Sequence, residues 1–429
     1  MQILKPLLGI AMLAAIAWVL SSDRRRFPWR LAAIGFTIQI VIAGAFLSFP
    51  PLVTPVDYAS RFVAGAIRQA DHGIVFLFGP ELARADGPWG FIFAIKVLPV
   101  IIFFAALMAV LYRIGLMPRI VNAMAWMLHR TLGVSGSEAL VAASNVFVGQ
   151  TEAPLCVRPY INSFTRAQIM TLMTTGFATI AGSVMAAYIG MLGGDSQDSQ
   201  ALFAKHLMTA SLMSAPAALV MARIMVPESQ PVQETPVSVR PETLGTGILD
   251  AAALGASDGL KLALNVAAML VAFVSLIALV NWPLNAIGTS LEQILGHALA
   301  PAAWLMSIDD GQRVLVGSLL GKQIVATEFV AYVSLHQAMS SGEIGPRSAQ
   351  IVTYALCGFC NLPSIAIQIG GLTALAPERR ADFVSIGPRA MVAGPLPAGA
   401  RPALPRSFSD DAICTPGPGW LFALSSLTP

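Results

Sequence analysis

The chain has 429 residues, of which 56% are hydrophobic and 11% are charged. A soluble domain carries roughly 25% charged residues, so this composition excludes an ordinary soluble protein and places the bulk of the chain in lipid. The formal net charge of +3 is small and gives no indication of a nucleic-acid partner. We therefore predict an all-α polytopic membrane protein.

The first twenty residues resemble a signal peptide, because Lys5 precedes an apolar run. No A-x-A cleavage site closes the run, and residues 21–26 (SSDRRR) follow it directly. We interpret this segment as a retained first transmembrane helix.

A helix needs about 20 apolar residues to cross a ~30 Å hydrocarbon core. Candidate spans lie near residues 3–20, 31–49, 91–112, 167–192, 201–226, 259–280 and 345–373. Two further stretches, 132–160 and 307–340, are apolar but contain polar residues and helix breakers, and we predict that each forms a re-entrant helical hairpin. The total is about seven to eight transmembrane helices plus two hairpins.

The distribution of Lys and Arg predicts an N-terminus outside the membrane, because the inside segments then carry most of the positive charge. Counting either hairpin as a full span spoils this pattern. Residues 58–70 form an amphipathic segment, either an interfacial helix or a plain loop helix. The polar, proline-rich residues 227–246 predict a flexible cytoplasmic loop, and we expect the whole loop to span 227–258.

The C-terminus departs from the pattern of the other spans. The cluster at 377–380 (PERR) predicts a final span, and residues 389–394 begin like one. Residues 395–406 are then too rich in proline to form a spanning helix. We expect the tail after Gly394 to be disordered or poorly packed, and both a shifted reading frame and a truncated last helix fit this pattern.

Two acidic residues, Glu152 and Glu328, lie in interrupted apolar stretches, and each follows a threonine. A carboxylate at membrane depth costs about 3 kcal/mol, so such residues mark functional sites. The two local contexts also match in order. The Thr-Glu pair at 151–152 precedes residues 175–183 (TGFATIAGS), and the pair at 327–328 precedes residues 357–364 (CGFCNLPS).

This order predicts an internal inverted repeat with discontinuous helices, which is the common plan of secondary transporters. Coincidence of short strings is the alternative. The Cys357–Cys360 pair has C-x-x-C spacing. We favour packing of two small residues over a metal or redox site, since no second pair or nearby histidine accompanies it.

The polar residues of these stretches are donors and acceptors with no net positive charge, which suits a neutral polyhydroxylated or heteroaromatic solute. An anionic substrate would need Arg or Lys, and the only nearby cation is Lys322, which we expect to snorkel toward the hairpin mouth. Asn145, Thr179 and carbonyls freed near Val148 and Ile180 suit a hard cation such as sodium. Interhelical hydrogen bonding is the alternative role for Asn145 and Thr179.

Three strings carry a resemblance to a known family: residues 149–155 (GQTEAPL), 327–332 (TEFVAY) and 355–365 (ALCGFCNLPSI). In this order they resemble the concentrative nucleoside transporter family, in its shorter bacterial form with eight spans, over roughly residues 1–393. The resemblance implies a homotrimer in which each protomer transports separately. It also implies scaffold helices over 1–130, a transport part over 131–192 and 307–375, further spans over 193–306, and a cytoplasmic segment with an atypical tail over 376–429.

The resemblance also implies roles for individual residues. The nucleobase is expected to contact Gln150, Thr151 and Glu152, with Val184 packing on it. The ribose is expected to contact Glu328, Asn361 and Ser364, with Phe359 beside the sugar. Sodium is expected at Asn145, Val148, Thr179 and Ile180. The chain departs from the family pattern at Thr179, where a serine or similar residue is usual, at Pro363, where a small polar residue is usual, and in the missing final span.

These observations predict a cation-coupled symporter, with sodium as the expected ion, that imports nucleosides across the bacterial inner membrane. A proton-coupled symporter and an uncoupled facilitator or channel are the alternatives. We expect no enzyme activity, because no nucleophile–base pair or metal set accompanies the two glutamates, and no cofactor beyond the coupling ion. The preference between purine and pyrimidine nucleosides stays open.

Overall fold

The computed structural model describes residues 4–48, 50–83, 92–194, 196–230 and 247–394, and these residues form helices and no strand. Three short 3-10 segments occupy Ala153–Ser163, Asp310–Gln312 and Pro377–Arg379. The α-helices in the described ranges are α1 (Leu4–Val19), α2 (Trp29–Ser48), α3 (Pro50–Phe78), α4 (Pro80–Ala83), α5 (Phe93–Lys96), α6 (Leu98–Arg113), α7 (Leu116–Leu132), α8 (Gly136–Asn145), α9 (Arg166–Ala178), α10 (Gly182–Gly193), α11 (Gln197–Met225), α12 (Ile248–Ala286), α13 (Leu291–Leu305), α14 (Arg313–Val325), α15 (Glu328–Ser340), α16 (Pro346–Ala355), α17 (Leu362–Leu375) and α18 (Arg380–Ala393).

Four helical segments are long and apolar enough to cross a membrane: Phe93–Arg113, Arg166–Gly193, Gln197–Met225 and Ile248–Ala286. The apolar window of Arg166–Gly193 is 94% buried, whereas that of Ile248–Ala286 is 6% buried. The segment Arg166–Gly193 (α9 and α10) therefore forms the centre of the molecule. Helix α12 lies at the periphery with its apolar side chains outward, as lipid requires.

The start of α12 at Ile248 differs from the predicted end of the cytoplasmic loop. The cytoplasmic loop expected over 227–258 ends earlier, because residues 248–258 already belong to α12. Gly255 and Gly259 permit this extension to pack on α6: a Cβ atom at Gly255 would lie 2.6 Å from the Ala109 Cβ, and one at Gly259 would lie 2.7 Å from the Ala105 Cβ. Small residues are what allow membrane helices to approach so closely. Residues 231–246 of the loop lie outside the described residues.

The amphipathic segment predicted over 58–70 is the middle of the much longer helix α3. Its buried face includes Ala64, Ile67 and Ile74, and Tyr58 and Phe62 are exposed on the other side. The buried face packs against α11 and α10. The segment is therefore a docked helix in this fold, longer than its amphipathic pattern indicates.

Both predicted hairpins are helix–break–helix units. In the first, α8 ends at Asn145 and the 3-10 segment Ala153–Ser163 forms the second arm. This arm contains Pro154 and Pro159, and proline removes the N–H groups that an α-helix needs. In the second hairpin, only Ala326 and Thr327 separate α14 from α15.

Each hairpin is followed by a broken helix, as the predicted repeat requires. Residues 179–181 separate α9 from α10, and residues 356–361 separate α16 from α17. The same order of elements, hairpin and then broken helix, thus occurs in both halves of the chain.

A buried ion pair anchors the first hairpin. Ser135 and Glu138 form a capping box at the start of α8. Glu138 Oε2 accepts from Arg223 Nη2 of α11 at 2.8 Å, and its Oε1 accepts from Thr171 Oγ1 of α9 at 2.9 Å. The Glu138 side chain is 1% exposed and that of Arg223 is 9% exposed, so this carboxylate ties α8 to α9 and α11 away from water.

The last described helix, α18, packs on α9 and is fixed at its start by Arg379. Arg379 Nη1 donates to the carbonyls of Asn162 and Phe164 at 2.9 and 2.8 Å, which caps the end of the first hairpin. Arg166 Nη1 donates to Asp382 Oδ1 at 2.8 Å. The atypical tail predicted after Gly394 lies outside the described residues.

We expect Arg223→Met to lower the free energy of unfolding by about 3 kcal/mol, because removing one partner of a buried pair leaves an uncompensated charge on Glu138. Thermal unfolding of the purified protein in detergent measures this change.

Arg26→Ala is the matched control, since Arg26 pairs with Asp23 on the surface and exposed pairs contribute about 0–1 kcal/mol. Equal melting temperatures for Arg223→Met and Arg26→Ala would show that the buried pair does not anchor the hairpin.

Candidate functional site

The break of the first hairpin lies against the break between α9 and α10. Gly149 has φ +97°, and a Cβ atom there would lie 2.7 Å from the Ala181 Cβ. The Gly182 N–H donates to the Phe147 carbonyl at 2.8 Å. Glycine is required at 149 for both the left-handed conformation and the close approach. The two breaks therefore satisfy one another's backbone groups.

The break between α16 and α17 lies against the end of α9. A Cβ atom at Gly358 would lie 2.7 Å from the Phe177 carbonyl oxygen, and Cys360 Sγ donates to the same oxygen at 2.9 Å. Cys357 lies 3.6 Å from Ser211 Oγ of α11. The two cysteines thus contact different helices as packing residues, and both are free thiols.

Gln323 of α14 joins the second hairpin to the same break. Its Nε2 donates to the Leu356 carbonyl at 3.1 Å and to the Gly358 carbonyl at 3.0 Å. The side chain is 2% exposed. It supplies the donors that the interrupted helix lacks, which is a role that the sequence pattern did not reveal. Three breaks therefore meet around the C-terminal end of α9, and Gln323 ties the second hairpin to one of them.

Glu328 stands at the first position of α15, after Thr327, whose side chain caps the helix. Its Oε1 accepts from Tyr188 Oη at 2.9 Å, and its Oε2 accepts from Asn361 Nδ2 at 2.7 Å. The glutamate is 4% exposed. The helix N-terminus favours a carboxylate there, and two neutral donors hold it in one orientation. Tyr188 was not among the predicted site residues.

Asn361 uses both ends of its amide. Its nitrogen binds Glu328, and its Oδ1 accepts from the Ser364 N–H at 2.9 Å, which caps α17. Pro363 lies in the first turn of α17, where its missing N–H leaves no donor unsatisfied. The departure from the family pattern at this position is therefore compatible with a regular helix start.

Gln150 lies in the break of the first hairpin and is 8% exposed. Its Oε1 accepts from Gln368 Nε2 of α17 at 2.8 Å. Thr151 and Glu152 follow it and are exposed. The two glutamates therefore differ in their surroundings, although their sequence contexts match: Glu328 is buried and held by two donors, and Glu152 is exposed.

Two of the four residues predicted for sodium contact Thr175 of α9. Asn145 Nδ2 donates to Thr175 Oγ1 at 3.0 Å, and Thr179 Oγ1 donates to the Thr175 carbonyl at 2.9 Å. Val148 and Ile180 lie in the two facing breaks. Asn145 Oδ1 is buried without a hydrogen-bond partner. An unpaired buried oxygen is costly, and a cation bound at Asn145 Oδ1 would remove that cost.

Thr179 keeps an oxygen that could accept a cation, because its hydroxyl proton is used on the Thr175 carbonyl and its lone pairs remain. In the described ranges there is no group of three His, Cys, Asp or Glu side chains that could hold a metal ion. The cation-binding capacity of this region therefore rests on amide, hydroxyl and carbonyl oxygens, which suit hard cations.

The remaining predicted residues are buried or partly buried, and two of them lie in or against one apolar cluster. Val184 is 1% exposed and belongs to it, and Phe359 packs on it. Ser364 is 3% exposed. Lys322 is directed across the second hairpin, where its Nζ donates to Ser334 Oγ at 3.0 Å, so it does not extend freely to the hairpin mouth.

Three family models cover most of the chain. Residues 8–81 match the Na+ dependent nucleoside transporter N-terminus, residues 94–195 match a nucleoside recognition (Gate) domain, and residues 206–398 match the Na+ dependent nucleoside transporter C-terminus. An uncharacterized transporter from Haemophilus influenzae is 39% identical over 407 residues, which cover 92% of this chain and 95% of that protein.

The nucleoside permease NupC from Helicobacter pylori is 36% identical over 402 residues, covering 90% of this chain and 93% of that protein. The structure of CNTnw in an inward-facing substrate-bound state superposes with a TM-score of 0.87 at 38% identity and covers 94% of this chain and 98% of that one. The human solute carrier family 28 member 3 is 36% identical, and the match covers 57% of its length. The chain is a helical polytopic membrane protein and belongs to the concentrative nucleoside transporter family.

Proposed function

We propose that this chain is a sodium-coupled symporter that imports nucleosides across the bacterial inner membrane. The observation that carries the proposal is the contact between helix breaks of both halves around the end of α9. The paired amide and carboxylate side chains of these regions and the unpaired Asn145 oxygen support it. Such breaks are where secondary transporters hold substrate and ion.

The polar residues of the proposed substrate site support a neutral, polyhydroxylated ligand. Ribose hydroxyls can donate to Glu328 and exchange hydrogen bonds with Asn361 and Ser364, while Gln150, Thr151 and Glu152 offer amide, hydroxyl and carboxylate groups to a base. Val184 and Phe359 give apolar contact to the base and the sugar. The Glu328 carboxylate is held by Tyr188 and Asn361, which are neutral, so neither of these two contacts offers a cation to a phosphate.

The coupling step follows from differential affinity. In this proposal, sodium at Asn145, Val148, Thr179 and Ile180 pairs the Asn145 Oδ1 atom and stabilises the two facing breaks. A ligand shifts a conformational equilibrium only by the difference in its affinity for the two conformations. One monovalent cation falling through 100 mV supplies about 2.3 kcal/mol. A tenfold ion gradient adds about 1.4 kcal/mol, and together these sustain roughly 500-fold accumulation of a neutral solute.

Proton coupling is the second candidate, and the buried Glu328 favours it, since a carboxylate held out of water can carry a proton. An uncoupled facilitator is the third, and the Asn145 oxygen disfavours it because it would stay unpaired. Uptake of radiolabelled uridine and adenosine into proteoliposomes, under an imposed sodium or proton gradient, separates the three candidates.

The proposed assembly is a homotrimer with the N-terminus outside. Each protomer has scaffold helices over 1–130, a transport part made of 131–192 and 307–375, and further spans over 193–306. In this proposal, binding of nucleoside and sodium from outside precedes movement of the transport part relative to the scaffold. The contacts that join the breaks of both halves support a transport part that moves as one body.

We expect Glu328→Gln to raise the KM for nucleoside uptake at least about tenfold. A glutamine offers one oxygen where the carboxylate accepts from both Tyr188 and Asn361, so one of these buried donors loses its partner. Initial rates of uridine uptake into proteoliposomes measure this change.

Glu292→Gln is the matched control, because Glu292 of α13 also accepts from an asparagine, Asn281 Nδ2, at 2.8 Å but lies outside the breaks. Equal KM values for Glu328→Gln and the wild-type chain would remove Glu328 from the sugar site.

We expect Asn145→Leu to raise the sodium concentration for half-maximal uptake about tenfold or more, since a leucine has no oxygen for the cation. The measurement is uridine uptake against external sodium at fixed membrane potential.

Ser348→Ala serves as the control, because Ser348 Oγ is likewise buried without a partner but lies on α16. Unchanged sodium dependence in Asn145→Leu, together with stimulation by a proton gradient, would favour proton coupling.

A further inference from the structure

We propose that Gln368 fixes the amide of Gln150 so that its NH2 group faces the nucleobase, and that this selects bases that present an oxo group there over bases that present an amino group. The inference rests on the proposed nucleoside transport, because it names the substrate class that the site favours. It assigns the selection to a residue that lies 218 positions from Gln150 in sequence.

The orientation of the Gln368 amide is fixed by a backbone carbonyl. Gln368 Nε2 donates to the Met173 carbonyl at 3.1 Å, and a carbonyl can only accept. Turning the Gln368 amide over would place two oxygens against each other. Gln368 Oε1 is buried with no hydrogen-bond partner, so no contact on that side favours the reverse orientation.

The same nitrogen fixes Gln150. Gln368 Nε2 lies 2.8 Å from Gln150 Oε1, so the oxygen end of the Gln150 amide is occupied by a donor. The Gln150 NH2 group is the end that remains for a ligand. A primary amide can read a base edge with either end, and here only the donating end is free.

Gly176 of α9 makes room for this pair of glutamines. A Cβ atom at Gly176 would lie 2.5 Å from Gln368 Nε2 and 2.9 Å from Gln150 Cβ. An alanine there would displace both side chains. The contact between Gln150 and Gln368 therefore depends on a missing side chain in the central helix.

The base that pairs well with a free NH2 group carries an acceptor at the contacted position. Uridine presents an oxo group where cytidine presents an amino group, and pyrimidin-2-one riboside has neither. All three share the ribose, so the Glu328 side of the site treats them alike. Losing one hydrogen bond to a buried group corresponds to roughly tenfold in affinity.

The test measures the KM for uptake of uridine, cytidine and pyrimidin-2-one riboside into proteoliposomes. It compares the wild-type chain, Gln368→Leu and Gln368→Glu. For the wild type we expect a KM about tenfold lower for uridine than for cytidine, with the third nucleoside between them. In Gln368→Leu the ratio should fall to within about twofold, because the Gln150 amide is then free to rotate.

Gln368→Glu is nearly isosteric and should invert the ratio. The glutamate offers an acceptor to Gln150 both when it is ionised and when it is protonated on the oxygen that faces the Met173 carbonyl. The Gln150 NH2 group then donates to the glutamate, and the Gln150 oxygen faces the base. Gly176→Ala is a second route to the loss of selectivity, since it separates the two amides without removing either.

Gln39→Leu is the matched control. Gln39 is also fully buried, also donates to a backbone carbonyl (Met213, 3.4 Å), and also has an unpaired Oε1, but it lies on α2. Its substitution should leave the uridine-to-cytidine ratio at the wild-type value.

A ratio that is the same in the wild type, Gln368→Leu and Gln368→Glu would overturn the inference while leaving nucleoside transport intact. A wild-type preference for cytidine would also overturn it. Absence of uptake of all three nucleosides by the wild-type chain would defeat the proposed function itself, and the inference with it.

Discussion

The fold depends on satisfying backbone polar groups where helices are interrupted far from water. An unsatisfied group in such surroundings costs several kcal/mol, so an isolated break would not persist. Here the breaks satisfy one another: the Gly182 N–H binds the Phe147 carbonyl, and Gln323 binds two carbonyls of the 356–361 break. Asn145 Oδ1 is a buried polar atom at these breaks that keeps no partner, and it is the one that the proposed cation would pair.

The close approach of the breaks is possible because three positions carry no side chain. Gly149, Gly176 and Gly358 each touch a different partner, and a Cβ atom at any of them would lie within 2.7 Å of a neighbouring atom. Gly176 and the Phe177 carbonyl that Gly358 approaches lie at the end of α9, and Gly149 packs on Ala181 just beyond it. That helix end is therefore the common support of both halves. Since it belongs to the most deeply buried of the four long apolar segments in the described residues, the candidate site has a rigid base, which preorganised binding needs.

Local sequence signals predicted the breaks and the residues inside them. Glycine, proline and Thr-Glu pairs identified both hairpins, whereas the caps that place Glu328 and Asn361 at helix starts are seen only in the structure. The residues that hold them were missed. Tyr188, Gln323 and Gln368 lie in regular helices, and their partners are 140, 33 to 35 and 218 residues away. A buried polar residue in an apolar helix was the only available signal. Likewise, residues 248–258 are rich in small residues and resemble a loop, whereas their close packing on α6 makes them helical.

The two halves of the chain repeat an order of elements but not an electrostatic environment. Glu328 is buried and bound by two donors, so its carboxylate has one orientation, and the proposed sugar side of the site is preorganised. Glu152 is exposed, and so is Thr151, which would leave these groups free to adapt to different bases in the proposed base site. An adaptable contact discriminates weakly, because it can re-form around either partner. On the base side, Gln150 is held by a bond between two side chains of different elements. Selectivity between nucleosides should therefore depend on Gln150 and Gln368 more than on Glu152.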